Sequence, residues 1–344
     1  MAKYHEICDI IKTRIAQGHY MGGYLPNVRQ IAEDMGVSYL TARQAILQLK
    51  TQGILENDPS GRRFLVKKNV SNVLRVALII PFWNLSEWHL TIRKVVLDAG
   101  GVFRVFSCIN STDTIIDNAL NDNYDLVFIQ FPENPPPRIL ERMSKCKDRI
   151  VTLFQDFTSS GIRMVQGAPL EAIDQIMGKL ATTGHKVIDY LQVLTEGNIV
   201  DPTLRYDRWL KFIHSHQLKG EAHLCEVPDY SIKEYKAHEF CLELLENFPL
   251  PDAYFCATIP VAVGLYRACY EKGIVIGKDI SVFSFGGSLE APMMTPALAT
   301  IRNHGVEEMI QNIVMQYKSG KVSDQLLYQN TAVDIFEGES LKFQ

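Results

Sequence analysis

Apolar residues along this chain follow two rhythms, and the change between them falls near residue 70. In residues 3–17, Tyr4, Ile7, Ile11 and Ile15 recur near helical spacing, and Gly18 follows as a stop. YMGGYLPN (20–27) is turn material, a second short helix is expected over about 28–35, and Gly36 ends it. Val37 and Ser38 then lead into a third helix, in which Ala42, Ala45, Ile46 and Leu49 form an apolar stripe. Tyr39, Arg43 and Gln44 lie elsewhere on the same cylinder, and Ser38 fits an N-cap that accepts from the first-turn N–H groups. After Gly53, two short extended runs, ILEND and RRFLVKK, flank the turn PSG (59–61).

Beyond about residue 75 the apolar positions become continuous. RVALIIPF (75–82), YDLVFIQF (124–131), RIVTLFQ (149–155), KVIDYLQV (186–193), DAYFCA (252–257) and ISVFSF (280–285) suit parallel strands buried on both faces. Helical stretches are expected between most of them, near 86–99, 112–121, 136–145, 170–183, 203–217, 232–247 and 260–272. Alternation of this kind implies doubly wound α/β layers, and its extent fits two Rossmann-like lobes facing a cleft better than one oversized sheet. The expected organisation is therefore multidomain. A winged helix-turn-helix of three helices and a small β-hairpin spans 1–68, a linker spans 69–74, and a two-lobed α/β body spans 75–344.

Charge sharpens this division. The net charge of -4 conceals +4 over residues 1–70 and -8 over the remainder, so a basic head that meets a polyanion is joined to an acidic body. No apolar run approaches the roughly 18 residues needed to span a bilayer. The seven cysteines are scattered and odd in number, without a CxxC pair. They favour reduced, mostly buried thiols in a cytoplasmic protein over a disulfide frame or a zinc site.

The head resembles the GntR-type winged helix-turn-helix of bacterial transcription regulators. The match covers about residues 4–66, through G–x–LP–x–x–R–x–[IL]–A followed by GVS–x–x–T–x–R–x–A–[IL]–x–x–L–x–x–x–G. The resemblance implies that the third helix reads operator DNA in the major groove. Ser38 and Thr41 would offer hydroxyls at its N-terminus, Arg43 would reach guanine or phosphate, and Gln44 would pair an adenine edge. Arg29 would hold the DNA backbone, and Arg62 and Arg63 would bring the wing to the minor groove. Tyr39 stands where the family usually has a basic residue, which predicts a different operator preference there. Arg63 replaces a usual glycine and Phe64 a small hydroxyl residue, giving a bulkier wing tip.

The body, over about 75–340, resembles the LacI/GalR-type effector domain, a periplasmic-binding-protein-like fold. The matching stretches are RVALIIP (75–81), TGHKVIDYL (183–191), RYDRW (205–209), DAYFCATIPVAVGLYRACYEKGIVIGKDISVFSFGG (252–287) and TPALATIRN (295–303). The resemblance implies a monosaccharide effector, with Arg205 bridging hydroxyls, Asp156 as an acidic contact and Tyr230 as an aromatic stacker. Asp201 and Asn303 are further carry-overs. Phe82, Trp83 and Trp88 follow the first strand, where a loop would face the ligand. Two departures stand out, Thr258-Ile259 where the family has Asn-Asp and Gly286 where it has aspartate. Loss of these hydroxyl readers points to a deoxyhexose such as fucose.

Together these readings describe a sugar-responsive repressor that binds a pseudo-palindromic operator as a homodimer, with Tyr266 and Cys269 candidates for the dimer face. It needs no membrane, metal or cofactor. Two alternatives remain. One is a DNA-binding dimer whose body is a scaffold without a sugar ligand. The other is a pyridoxal-phosphate aminotransferase-like fusion enzyme. Against the latter, Lys179, Lys186, Lys272 and Lys278 have ordinary helix or loop settings, and no G-x-S-x-G, HExxH or P-loop occurs.

Overall fold

The head folds as three helices and a hairpin, with α1 at Lys3–Ala16, α2 at Val28–Asp34, α3 at Tyr39–Thr51, β1 at Leu55–Asn57 and β2 at Phe64–Val66. The computed structural model describes residues 3–16, 19–20, 23–58, 63–67, 73–81, 87–195, 202–228, 231–287, 289–329 and 333–342. Helix α2 starts at a reciprocal cap. The Asn27 side chain accepts from the Gln30 N–H at 3.0 Å, and the Gln30 side chain accepts from the Asn27 N–H at 3.2 Å. Ser38 caps α3 singly, its hydroxyl oxygen accepting from the Thr41 N–H at 3.2 Å. The stripe Ala42, Ala45, Ile46 and Leu49 is fully buried and meets Ile7, Ile11, Leu25 and Ile31 in the head core. Strands β1 and β2 pair antiparallel, Leu55 opposite Val66.

The body consists of two six-stranded sheets. The elements that build the first are β3 (Arg75–Pro81), α4 (Glu87–Asp98), β4 (Val102–Cys108), α5 (Thr114–Asn121), β5 (Leu126–Ile129), α6 (Pro137–Lys145), β6 (Ile150–Leu153) and β7 (Arg163–Gln166). The second is built from α7 (Glu171–Thr182), β8 (Ile188–Thr195), α8 (Pro202–Ser215), β9 (Ala222–Val227), α9 (Lys233–Asn247), β10 (Ala253–Cys256), α10 (Ile259–Lys272), β11 (Ser281–Phe285) and β12 (Ala299–Arg302). Helix α11 (Val306–Ser319), β13 (Leu327–Gln329) and β14 (Asp334–Phe336) follow. The first sheet runs β13-β7-β6-β5-β3-β4 and the second β14-β12-β11-β10-β8-β9. In each, the entering strand lies between the next two strands of the chain, so the winding reverses beside β3 and beside β8.

By internal contacts the chain forms two units, Met1–Val165 with Glu307–Leu327, and Gln166–Val306 with Tyr328–Gln344. The head thus clusters with the first lobe, and the chain passes between the units three times. Interior strands are parallel and uniformly buried, as β3, β5, β6 and β10 illustrate. Edge strands β4 and β9 mix exposed, half-buried and buried positions, which is why no continuous apolar run announces them.

Two helical glycines in the second unit have opposite surroundings. A Cβ built on Gly264 of α10 would lie 2.5 Å from Ala237 Cβ and 2.5 Å from the His238 amide nitrogen of α9. One built on Gly178 of α7 would meet only Phe212 Cζ, at 4.0 Å. Alanine is intrinsically better than glycine in a helix by about 0.5–1 kcal/mol, and overpacking costs about 1–3 kcal/mol. Gly178→Ala is therefore expected to stabilise the protein, and Gly264→Ala to destabilise it, in urea unfolding monitored by circular dichroism.

His185 supplies a pH-dependent contribution. Its Nδ1–H donates to the Leu180 carbonyl at 3.0 Å, while Nε2 accepts from the Ser281 hydroxyl at 2.8 Å, whose oxygen is already taken by the Lys342 N–H. Burial holds the imidazole pKa below its ordinary value of 6.5. The unfolded chain therefore binds the proton first as pH falls, and stability drops below about pH 6.5. The urea midpoint should fall between pH 7 and pH 5.5, and His185→Asn should flatten that dependence.

Candidate functional site

The wet side of α3 is displayed on the surface of the head. Tyr39, Arg43 and Gln44 are exposed, as is Arg29 in the first turn of α2. Ser38 and Thr41 are partly committed to the helix. Their hydroxyls lie 2.8 Å apart, and Ser38 also accepts the capping N–H, leaving these side chains less freedom to turn outward. Arg63, at the start of β2, is exposed and lies 5.5 Å from the centroid of the Tyr24 ring. Its N–H donates to the Asp58 carboxylate at 3.3 Å, tying the two arms of the hairpin. Arg62 falls outside the described residues.

The second unit has its own constellation at the point where the winding reverses, which in open α/β sheets is where ligands bind. Arg205, on α8, donates from Nη1 to the Ala257 carbonyl at 2.8 Å, one residue beyond the end of β10. Its guanidinium lies 4.4 Å from the centroid of the Phe285 ring, at the end of β11. Thr258 is the N-cap residue of α10 and makes no side-chain cap hydrogen bond. Gly286, with φ +86°, follows Phe285 directly, and a Cβ built on it meets nothing within 4 Å. Thr300 donates from its hydroxyl to the Gly286 carbonyl. Arg205, Thr258 and Gly286 are thus brought to one set of strand ends, joined by Phe285, which sequence reading overlooked as an interior strand residue.

Ile259 and Gly287 account for one another. A Cβ on Gly287 would sit 2.1 Å from Ile259 Cγ1, so the isoleucine side chain fills the volume that a side chain at 287 would need. Ile259 therefore packs against the protein's own backbone at Gly287. Other expected contacts lie elsewhere. Asn303 accepts the Ala168 N–H at 2.8 Å and so serves the chain entering the second unit. In the first unit, Trp88 is 4% exposed and packs edge-on against Phe154 at 5.0 Å, joining the buried face of α4 with Ile92, Val95 and Val96. It is a core residue, not an exposed stacking surface. Asp156 is exposed and accepts from the Thr158 hydroxyl at 2.7 Å and the Thr158 N–H at 2.9 Å, bonds that hold its pKa below the ordinary carboxylate value. Phe82, Trp83, Asp201 and Tyr230 fall outside the described residues.

The remaining reactive groups are subdued. All seven cysteines are free thiols, and burial pushes those of Cys108 and Cys269 up to about 12, which leaves them protonated and non-nucleophilic near neutrality. Among the described residues, no group of three or more His, Cys, Asp or Glu side chains is placed to hold a metal ion. No helix among them is long and apolar enough to cross a membrane.

Comparison with known proteins separates the same two parts. The family of bacterial regulatory proteins of the gntR family matches residues 3–65, and the periplasmic binding protein-like domain matches residues 177–316. The chain is 27% identical over 161 residues to the HTH-type transcriptional repressor MelR of Bacillus subtilis, covering 45% of this chain and 44% of that one. It is 40% identical over 60 residues to the HTH-type transcriptional regulator GalR of Streptococcus thermophilus, covering 17% and 18%. The chain thus spans less than half the length of these two relatives. A LacI family transcriptional regulator from Arthrobacter, solved in complex with lactose, superposes with a TM-score of 0.64 at 15% identity, over 77% of this chain and 98% of that one. These matches establish the fold of the body and the class of the head. The chain joins an amino-terminal gntR-family helix-turn-helix domain to a periplasmic-binding-protein-like body with the fold of LacI-family regulators.

Proposed function

We propose that this protein is a ligand-responsive transcription repressor that binds operator DNA through α3 and the wing, and a monosaccharide at the strand ends around Arg205. The observation that carries the reading is the arginine itself: a guanidinium fixed at the reversal point of the second sheet, in a chain whose head presents Arg43 and Gln44 outward. A guanidinium fork suits two adjacent hydroxyls, and a flat aromatic such as Phe285 beneath it limits its rotation. The open space at Gly286, where related bodies carry an aspartate, supports a sugar with fewer hydroxyls to satisfy, and a deoxyhexose such as fucose is the specific candidate.

Two heads on a homodimer would meet a pseudo-palindromic site. The dimer face is better sought away from Cys269 and Tyr266, because Cys269 is buried in the second unit's core and Tyr266 packs against it. Val263 and Tyr270 on the same helix, and Tyr235 on α9, are exposed apolar side chains and the stronger candidates. Ligand can then shift DNA affinity only through its different affinities for the two conformations. A body that serves as a scaffold is the second reading, favoured by Ile259 and Gly287 closing part of the volume where polar readers stand in related bodies.

Isothermal titration against hexoses and deoxyhexoses should show the deoxyhexoses binding more tightly, whereas tighter binding of fully hydroxylated hexoses rejects the assignment. Arg205→Lys keeps the charge but loses the fork, and should weaken sugar binding by about 1.5–3 kcal/mol with little change in thermal stability. Absence of thermal stabilisation by every sugar tested would favour the scaffold. In a gel shift on the promoter beside its own coding region, Arg43→Ala should cost about 1–3 kcal/mol of specific over non-specific binding. An unchanged specificity ratio contradicts the role given to α3.

A further inference from the structure

The head and the first lobe, which belong to one unit, meet on a patch that includes the side chains assigned to DNA. The approach is close at Gly23. A Cβ built there would lie 2.8 Å from Asn123 Cβ and 2.9 Å from an Arg75 guanidinium nitrogen, and its φ of +78° suits glycine. Arg75 is itself fixed, 5% exposed and donating to the Asp125 carboxylate from Nε at 3.3 Å. Beside this contact lies a cavity of about 1030 Å³, bounded on the head side by Arg29, Tyr39 and Arg63 and on the lobe side by Arg104 and Asp122.

Asp122 is the acidic member of this wall. Burial raises its pKa, and Arg104, Arg63 and Arg149 oppose that rise, so three guanidinium groups act on one half-buried carboxyl. Arg149 is already engaged, donating to the Asp122 and Tyr124 carbonyls at 2.5 and 3.0 Å. Arg104 lies on the edge strand β4, over the Phe106 ring at 5.2 Å. Arg63 is the one of the three supplied by the head. Arg29, Tyr39 and Arg63 thus face Arg104 and Asp122 across one cavity. A duplex laid on Arg29, Tyr39 and Arg63 therefore requires the region that Arg104 and Asp122 enclose.

We propose that the head docked on the first lobe is a self-inhibited state, in which Asp122 faces the wing arginine Arg63 across the shared cavity and competes with DNA phosphate for it. The inference rests on the reading of Arg63 as a DNA contact. Docking and DNA binding then compete, and the apparent DNA affinity is reduced by the fraction of heads that are docked. The docked contact needs no ligand, so it sets the baseline on which an effector would act.

The test uses the full-length protein and a fluorescently labelled 30-base-pair duplex of mixed sequence at low salt, since phosphate contacts are independent of sequence. Anisotropy titration should show Asp122→Asn binding about threefold or more tightly than the wild type. Arg63→Ala should weaken binding, and adding it to Asp122→Asn should erase the gain. Hydrogen exchange gives a second measurement, in which amides of residues 119–125 lose protection when the duplex is added. If Arg63→Ala weakens binding while Asp122→Asn does not tighten it, or if exchange at 119–125 is unchanged by DNA, self-inhibition is overturned and the wing assignment stands. If Arg63→Ala binds like the wild type, the wing assignment fails and the inference falls with it.

Discussion

A strand with helices packed on both faces must pair its backbone polar groups within its own sheet, and it offers no side-chain position to water. Strands β3, β5, β6 and β10 meet that condition, with every residue buried. Chemistry that needs solvent or a ligand is thereby pushed to the strand ends, and of these the reversal points have the room, because neighbouring connections leave there in opposite directions. Arg205 arrives at such a point from α8 and fastens to the first carbonyl beyond β10. Its position is a consequence of the winding as much as of its own chemistry.

The same constraint governs what surrounds it. Phe255 and Phe283 stack at 4.6 Å inside the second sheet, while Phe285, two residues on, is half-buried at the edge of that core and lies under the guanidinium. Gly286 and Gly287 then turn the chain with positive φ. They are adjacent, yet one faces open space and the other is closed by Ile259. Ile259 thus fills one of the two volumes from within, and the other stays open.

Much of this was legible in one dimension, and the failures have identifiable causes. Continuous apolar runs marked the interior strands β3, β5, β6, β8, β10 and β11 but not the four-residue β7 and β12, helical spacing and caps marked the head, and Ser38 and Gly36 fell where they were expected. Strands β4 and β9 escaped because each mixes exposed positions with covered ones and carries charges such as Arg104 and Glu226. Trp88 was assigned to a ligand loop although Trp88, Ile92, Val95 and Val96 already had the spacing of a buried helix face. There the periodicity was the better guide and aromatic chemistry the worse. The pairing of Ile259 with Gly287 joins residues 28 positions apart and has no signature in either one, so only the fold reveals it.

The charge asymmetry gains a second meaning in three dimensions. A basic head on an acidic body was first read as a head suited to nucleic acid, but a body of net -8 joined to a head of +4 is also an acidic surface that never diffuses away. Effective concentration favours the tethered partner, whereas the many phosphates of a duplex favour DNA through counterion release. Salt weakens both, but the single carboxyl of Asp122 is half-buried and therefore less screened than an exposed phosphate contact. On the proposed competition, rising ionic strength would weaken a contact to many phosphates more than one to a single half-buried carboxyl, and so would shift the wing toward the body.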